Sequence, residues 1–232
     1  MTYVLSDIHG EFKKYTQMFE KIDLKEDDTL FVLGDVIDRG PEPLRVLLNM
    51  YMRKNVRPVM GNHELMAMRA LDACPIDDEE EEAQRGFRGR EGYYMDFWHR
   101  NGGFVTYRDL VEAPRERRRT LIRYMESFAP YAEYENRQGH RFVMVHAGLS
   151  GYRKERPLAD YTVRELAFDR PSFKRQYFDE NTTVIVGHTP TITITGRPEI
   201  FTSGNMKFID CGATFGGSLA CLCLDTMEEF YV

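Results

Sequence analysis

Five short segments of the chain carry side chains that can bind divalent cations. Each combines aspartate, histidine or asparagine with a neighbouring glycine, and they are residues 6–10, 34–40, 61–64, 146–148 and 187–189. Carboxylate, imidazole and amide oxygen suit ions such as Mn²⁺, Fe²⁺ or Zn²⁺. None of the four cysteines lies in these segments, whereas four of the six histidines do. Together the segments indicate metal-assisted chemistry, in which two ions can activate water for attack on phosphorus.

Each segment directly follows a predicted strand. The apolar runs are residues 3–5, 30–33, 56–60, 142–145 and 183–186. The carboxyl ends of parallel strands meet at one edge of a sheet, so five segments that are distant in sequence are expected to converge there. The glycines at these corners are expected to allow positive φ or a close approach of the backbone to a metal or phosphate.

The surrounding pattern predicts an α/β fold. Helical spacing over residues 11–21, 41–54 and 62–71 alternates with the first three strands, which indicates a parallel sheet flanked by helices. Further strands are predicted at residues 131–135, 207–209, 218–224 and 228–232. Consecutive strands near the end favour antiparallel pairing, so we expect a two-layer mixed β core flanked by helices. The intervening stretch, about residues 72–130, is predicted to be a helical insertion that ends in two helices.

Composition narrows the class of protein. The chain has 232 residues, 42% of them apolar, and a formal net charge of −6, which suits one domain (residues 1–232) and does not indicate a nucleic-acid partner. No signal-peptide pattern and no apolar run of about 18 residues is visible, so a cytoplasmic protein without a membrane partner is expected. The cysteines are expected to be buried, reduced thiols.

Two charged stretches are interpreted as solvated. The acidic run at residues 77–82 is expected to be a solvated or mobile loop. The arginines at positions 115, 117, 118 and 119 are expected to form the exposed face of a helix.

The motifs resemble a known family. Asp7-Ile8-His9-Gly10, Gly34-Asp35-Val36-Ile37-Asp38-Arg39-Gly40 and Gly61-Asn62-His63-Glu64 resemble the three-part signature of the phosphoprotein phosphatases, within the calcineurin-like metallophosphoesterases. His146-Ala147-Gly148 and Gly187-His188-Thr189 are similar to the later family motifs. The resemblance runs in order from about residue 1 to 225, with residues 72–130 unmatched. The compact size is similar to bacterial and phage members, including the symmetrical diadenosine tetraphosphatases.

The resemblance implies two metal positions that share one carboxylate. Asp7, His9 and Asp35 would hold the first ion, and Asp35, Asn62, His146 and His188 would hold the second. Manganese is the expected metal, with iron or zinc as alternatives.

The resemblance also implies roles for residues that do not bind metal. His63 would be the general acid, and Asp38 would orient it. Arg39 would bind the phosphoryl oxygens in a bidentate manner, as guanidinium geometry permits. Arg170 resembles a second phosphate-binding arginine, and Arg164 is its competitor.

The motifs leave the substrate open. The first hypothesis is a phosphomonoesterase that acts on phosphoserine or phosphothreonine proteins by direct attack of a metal-bridging hydroxide. The second is a hydrolase of dinucleoside polyphosphates or other nucleotides. The third is a non-catalytic metal-binding scaffold. The expected partner is therefore a phosphorylated protein or a phosphate-containing small molecule.

Overall fold

The computed structural model describes residues 1–76, 89–173 and 175–232, so the acidic run at residues 77–82 lies outside the described residues. The strands are β1 (Thr2–Leu5), β2 (Thr29–Leu33), β3 (Val56–Val59), β4 (Ala132–Glu135), β5 (Arg141–Met144), β6 (Thr182–Val186), β7 (Phe201–Ser203), β8 (Met206–Phe208), β9 (Ala220–Cys223) and β10 (Glu229–Tyr231). The α-helices are α1 (Phe12–Ile22), α2 (Pro43–Met52), α3 (Asn62–Ala73), α4 (Gly89–Trp98), α5 (Phe104–Glu112), α6 (Arg115–Glu126), α7 (Val163–Phe168) and α8 (Thr191–Thr195).

The strands form two mixed sheets. The first has the order β10-β9-β1-β2-β3 and the second the order β4-β5-β6-β8-β7. Within them, β1-β2-β3 and β5-β6-β8 are parallel, whereas β9, β10, β4 and β7 pair antiparallel with their neighbours. The predicted α/β fold with a two-layer mixed β core is therefore confirmed.

The two sheets pack face to face through apolar side chains. Val4 and Leu33 from the first sheet meet Phe142 and Ile185 from the second in one fully buried cluster. Strand residues alternate between faces, so the neighbours of these residues point to the outer faces, which the helices cover. This packing fixes the carboxyl ends of β1, β2, β5 and β6 relative to one another.

The cysteines agree with the prediction in large part. Cys211, Cys221 and Cys223 are buried, Cys74 is half-buried, and all four are free thiols. Among the described residues, no helix combines the length and apolar character that a membrane crossing requires.

The stretch between α3 and β4 ends in two helices, α5 and α6, as predicted, and its described residues contain one further α-helix, α4. A π-helical turn, His99–Gly103, links α4 to α5, and Gly102 within it has a φ of 101°. That residues 1–232 form one domain with this stretch as an insertion remains our proposal.

The predicted solvated arginine face is wrong at one position. Arg118 is 4% exposed, and its guanidinium donates to the carbonyl oxygens of Val111 (2.8 Å) and Ala113 (3.3 Å) and to that of Ile76. These carbonyls lie at the end of α5 and just beyond α3, where helix-terminal acceptors lack partners of their own. Arg118 therefore connects α6 by hydrogen bonds to the end of α5 and to the segment that follows α3.

Candidate metal centre

The carboxyl ends of the parallel strands bring two groups of potential metal ligands together. In the first, ligand atoms of His9, Asp35 and His63 lie within 4.8 Å of one another. In the second, the same holds for Asp35, His146 and His188. Because Asp35 belongs to both groups, two cations bound here would share its carboxylate.

The side chain of Asn62 adds a fourth donor atom to the three of the second group. The Oδ1 atom of Asn62 lies 2.9 Å from His146 Nε2 and 2.8 Å from His188 Nδ1. The Oδ1 atom of Asp35 lies 3.3 Å from His146 Nε2. Two imidazoles, an amide oxygen and a carboxylate form a donor set that suits a transition-metal dication.

Asp7, a predicted ligand of the first ion, is not a member of the first group, which contains His63 instead. The Nε2 atom of His9 is 3.5 Å from Asp35 Oδ2. The carboxylate of Asp7 accepts a hydrogen bond from the backbone N–H of His188 at 3.0 Å and another from the Ser6 hydroxyl. The loop after β6 is thereby attached to the loop after β1 at His188, a member of the second group.

Hydrogen bonds orient two of the imidazoles. The Nδ1 atom of His9 lies 2.8 Å from the carbonyl oxygen of Ile37, and that of His146 lies 2.6 Å from the carbonyl oxygen of Leu33. A carbonyl can only accept, so each Nδ1 carries a hydrogen, and Nε2 is the ring nitrogen that faces the site and can bind a cation. The residues present therefore fit a pair of divalent ions.

The charge states are set by burial and by neighbouring charges. Burial lowers the pKa of His9 and that of His188 to about 3, so both are neutral imidazoles, the form that binds metals. Burial opposes ionisation of Asp35, but the charges of His146 and His63 hold its pKa well below the usual value. Burial likewise opposes a charge on His146, yet the Asp35 carboxylate raises its pKa to about 10. A cation that binds His146 must displace that proton.

Unusual backbone conformations are concentrated here. Among the described residues, nine other than glycine have positive φ, and six of these are candidate site residues: Asp7, His9, Asp35, Asp38, Arg39 and His188. Such conformations cost free energy and persist where the surrounding fold imposes them, typically at functional sites. At Gly61, the N-cap of α3, a Cβ atom would overlap Asp35, so this corner requires glycine.

Glu64 positions the bridging carboxylate, a role that the sequence reasoning missed. It is fully buried and accepts hydrogen bonds from the backbone N–H groups of Asp35 (2.9 Å), Val36 (2.8 Å) and Gly61 (3.1 Å). Burial, followed by the charge of Asp35, raises its pKa to about 7. The available signal was its place three residues after the helix N-cap, where glutamate commonly bonds back to the chain.

His63 and Asp38 form a buried pair that two other residues support. The Nδ1 atom of His63 lies 2.6 Å from Asp38 Oδ2. The same oxygen accepts a hydrogen bond from the Trp98 indole N–H at 2.8 Å, and Asp38 Oδ1 accepts one from the Thr106 hydroxyl at 2.7 Å. Both donors come from the helical stretch between α3 and β4. No local motif marks them in the sequence.

Thr106→Val should lower the turnover of p-nitrophenyl phosphate about tenfold while the metals stay bound. The change removes a donor to Asp38 and leaves one of its buried oxygens unsatisfied, and losses of 10- to 100-fold are typical when such supporting contacts are removed. Steady-state kinetics and elemental analysis measure the two effects. Thr106→Ser, which keeps the hydroxyl, is the matched control. Equal turnover in the valine and serine variants would show that this hydrogen bond is irrelevant.

Arg39 lies across the first group. Its Nη1 and Nη2 atoms are 2.6 Å from His9 Nε2 and 2.9 Å from His63 Nε2. Its backbone N–H donates to Gly102 at 3.0 Å, and its guanidinium carbon lies 5.2 Å from the centroid of the Phe215 ring. One lone pair on His9 cannot serve both a cation and Arg39, so metal binding requires the guanidinium to turn away from that nitrogen.

The two competing arginines lie in different surroundings. Arg170 is exposed, and its charge adds to the burial that lowers the pKa of His188. Arg164 instead lies in α7, with its guanidinium carbon 5.6 Å from the centroid of the Phe168 ring. The structure thus associates Arg170 with the second group, and its role as a phosphate ligand stays a prediction.

Asp210 is a buried carboxylate that the sequence reasoning did not select. It is 4% exposed and accepts a hydrogen bond from Gly212 N–H at 2.9 Å. Burial raises its pKa to about 6, and its charge helps to raise the pKa of Asp7. Asp210 comes shortly after β8, a parallel strand, and is followed by Cys211-Gly212. The strand-end rule that found the other segments therefore applies to it as well.

Comparison with known proteins agrees with this geometry. A symmetrical bis(5'-nucleosyl)-tetraphosphatase from Neisseria meningitidis is 28% identical over 97% of this chain and 93% of its own length. A crystal structure assigned provisionally as a diadenosine tetraphosphatase superposes with a TM-score of 0.66 at 16% identity, covering 100% of this chain and 92% of that one. A serine/threonine phosphatase from Saccharomyces cerevisiae superposes with a TM-score of 0.58 at 14% identity, covering 95% and 71%.

At these identities the two structural likenesses show the fold alone. The sequence model for calcineurin-like phosphoesterases matches residues 2–215, most of the chain and all five ligand-bearing segments. That match supports metal-dependent phosphoester hydrolysis as the activity. It also confirms the predicted resemblance to the calcineurin-like metallophosphoesterases. The chain belongs to the calcineurin-like phosphoesterase family.

Proposed function

We propose that this chain hydrolyses dinucleoside polyphosphates, with diadenosine tetraphosphate cleaved symmetrically into two molecules of ADP. The observation that carries the proposal is the similarity, over nearly the full length of both chains, to a symmetrical bis(5'-nucleosyl)-tetraphosphatase. Hydrolysis of phosphoserine and phosphothreonine was the first hypothesis from the sequence, although the motifs do not separate the two substrate classes. The names of the relatives support the nucleotide hypothesis better.

The chain's own residues would bind and polarise the phosphate chain. When bound, two divalent ions, which we propose to be Mn²⁺, would supply a water of lowered pKa and positive charge beside the phosphorus. Asp7, His9 and Asp35 would hold one ion, and Asp35 would join it to the second-group ligands. Arg39, displaced from His9 by the first ion, would donate its paired N–H groups to the phosphoryl oxygens, where charge accumulates in the transition state.

His63 would supply the proton that the departing phosphate needs. Water adds to one central phosphorus, the bridging oxygen leaves with the other ADP, and a proton from His63 Nε2 reaches that oxygen. Asp38, 2.6 Å from Nδ1, keeps the second ring proton in place and stabilises the charged imidazolium before transfer.

Parallel kinetics with Mn²⁺ test the substrate assignment. We expect kcat/KM for diadenosine tetraphosphate to exceed that for a phosphoserine peptide by at least about tenfold, a difference of about 1.4 kcal/mol in transition-state binding. Chromatography should show ADP as the sole nucleotide product. A higher kcat/KM for the phosphopeptide would reverse the assignment in favour of a protein phosphatase, and AMP with ATP as products would contradict symmetrical cleavage.

A further inference from the structure

A cavity of about 370 Å³ lies between α3, α4 and α7. Aromatic residues from α4 and α7 form much of its wall, and two arginines, Arg69 and Arg164, line it as well. Pockets of this size that combine aromatic walls with a few polar groups are typical of small-molecule sites.

Each wall of the cavity begins close to the metal centre. Along α3, Arg69 follows His63 by six residues, which is about 9 Å along a helix axis. In α7, the carbonyl oxygen of Leu166 accepts the N–H of Ala147 at 2.8 Å, directly after a metal-ligand histidine. Helix α4, which contributes Tyr93 and Phe97 to the wall, ends at Trp98, whose indole N–H donates to the Asp38 carboxylate beside His63. A molecule whose phosphate lies on the metals can therefore extend into this cavity.

The aromatic wall offers a free face to a planar group. Tyr93 is 63% exposed and Phe97 is 42% exposed, so part of each ring is open to solvent. Their planes lie within 13° of each other, with centroids 6.2 Å apart. A base inserted between the two rings would need a spacing of about 7 Å from ring to ring, which is two contact distances of about 3.5 Å. A base would therefore stack on an outer face of this pair.

The charge of the cavity suits a phosphate-bearing ligand. Neither Arg69 nor Arg164 forms an ion pair with a carboxylate within residues 1–76, 89–173 and 175–232. No acidic side chain of the described residues lines the cavity. In a chain with a net charge of −6, this is a locally positive surface next to a site for phosphate.

We propose that this cavity is the nucleoside subsite of the enzyme. The base stacks on Tyr93 and Phe97, and the guanidinium groups of Arg69 and Arg164 contact the ribose-proximal phosphates. The proposal rests on the proposed nucleotide substrate, and it adds the surface that would distinguish a nucleotide from a phosphopeptide.

Equilibrium binding tests the subsite without any turnover. The Mn²⁺-loaded protein is titrated calorimetrically with the methylene analogue of ADP and with methylenediphosphonate, which share a non-hydrolysable diphosphate and differ only in the nucleoside. We expect the parent to bind the nucleoside-bearing ligand about tenfold more tightly, since stacking of one base on aromatic side chains is of that order. This preference should disappear in the Tyr93→Ala/Phe97→Ala double variant and persist in Tyr51→Ala, which removes an equally exposed ring of α2.

Two results would overturn the subsite. One is equal affinity of the parent for both ligands, and the other is a preference that survives in the double variant. Both rings are exposed, so their removal leaves the core intact, and circular dichroism checks this. Neither ligand is hydrolysed, so the binding experiment is independent of the substrate assignment. The nucleoside preference can be found even if diadenosine tetraphosphate is not a substrate, and it can be missing even if diadenosine tetraphosphate is a substrate.

Discussion

Asp35→Asn should abolish metal-dependent turnover, with a loss of more than about 10³-fold on p-nitrophenyl phosphate. A single preorganised donor to a developing negative charge is already worth about 10²–10³ in rate, and this variant weakens the attachment of both cations together. The reason lies in the geometry, because among the described residues Asp35 alone belongs to both groups of ligands. Elemental analysis after gel filtration should show less than half the metal content of the parent.

The control for this variant is Asp28→Asn. Asp28 is also a buried carboxylate, but its partner is the N-terminal ammonium and not a histidine of the site. The Asp28→Asn variant should keep the metal content of the parent. If Asp35→Asn retained full metal content and turnover, the shared-carboxylate arrangement would be wrong. If the parent itself lacked metal-dependent turnover on every phosphoester tested, the chain would be a scaffold and not an enzyme.

His63→Asn should lower turnover by about 10²–10⁴ while most of the metal stays bound, as expected for the loss of a general acid. The loss should be larger on phenyl phosphate than on p-nitrophenyl phosphate, because phenolate is the poorer leaving group and depends more on a proton.

The competing role for His63 is that of a metal ligand. Its Nε2 atom lies 3.9 Å from Asp35 Oδ2, so position alone permits it. Loss of both metals in His63→Asn, or an equal loss of turnover on the two esters, would identify His63 as a ligand. His140→Asn is a suitable control, since His140 is bonded to Thr183 on the second sheet, outside the site.

The ligand-bearing segments could be predicted because one local rule covers them. A strand that ends in a carboxylate, amide or imidazole beside a glycine places that side chain at the edge of the sheet, and the five strands found this way are within one or two residues of those observed. Applied to the strand before Asp210, the same rule would have found one more buried carboxylate.

Other features lay beyond the reach of sequence patterns. Trp98 and Thr106 are 60 and 68 residues from Asp38, so only the tertiary packing of the helical stretch reveals that they support it. Arg118 is buried although its neighbours in the arginine run are exposed, because three carbonyl oxygens surround it. The strand Phe201–Ser203 and the helix Thr191–Thr195 are too short to show a clear periodicity.

The most direct test of the shared-carboxylate centre is an anomalous diffraction measurement on crystals grown with Mn²⁺, at wavelengths on both sides of the manganese absorption edge. Two peaks should appear about 3.5–4 Å apart, both beside Asp35, one near His9 and the other near His146 and His188. A single peak, or manganese bound away from Asp35, would contradict the arrangement.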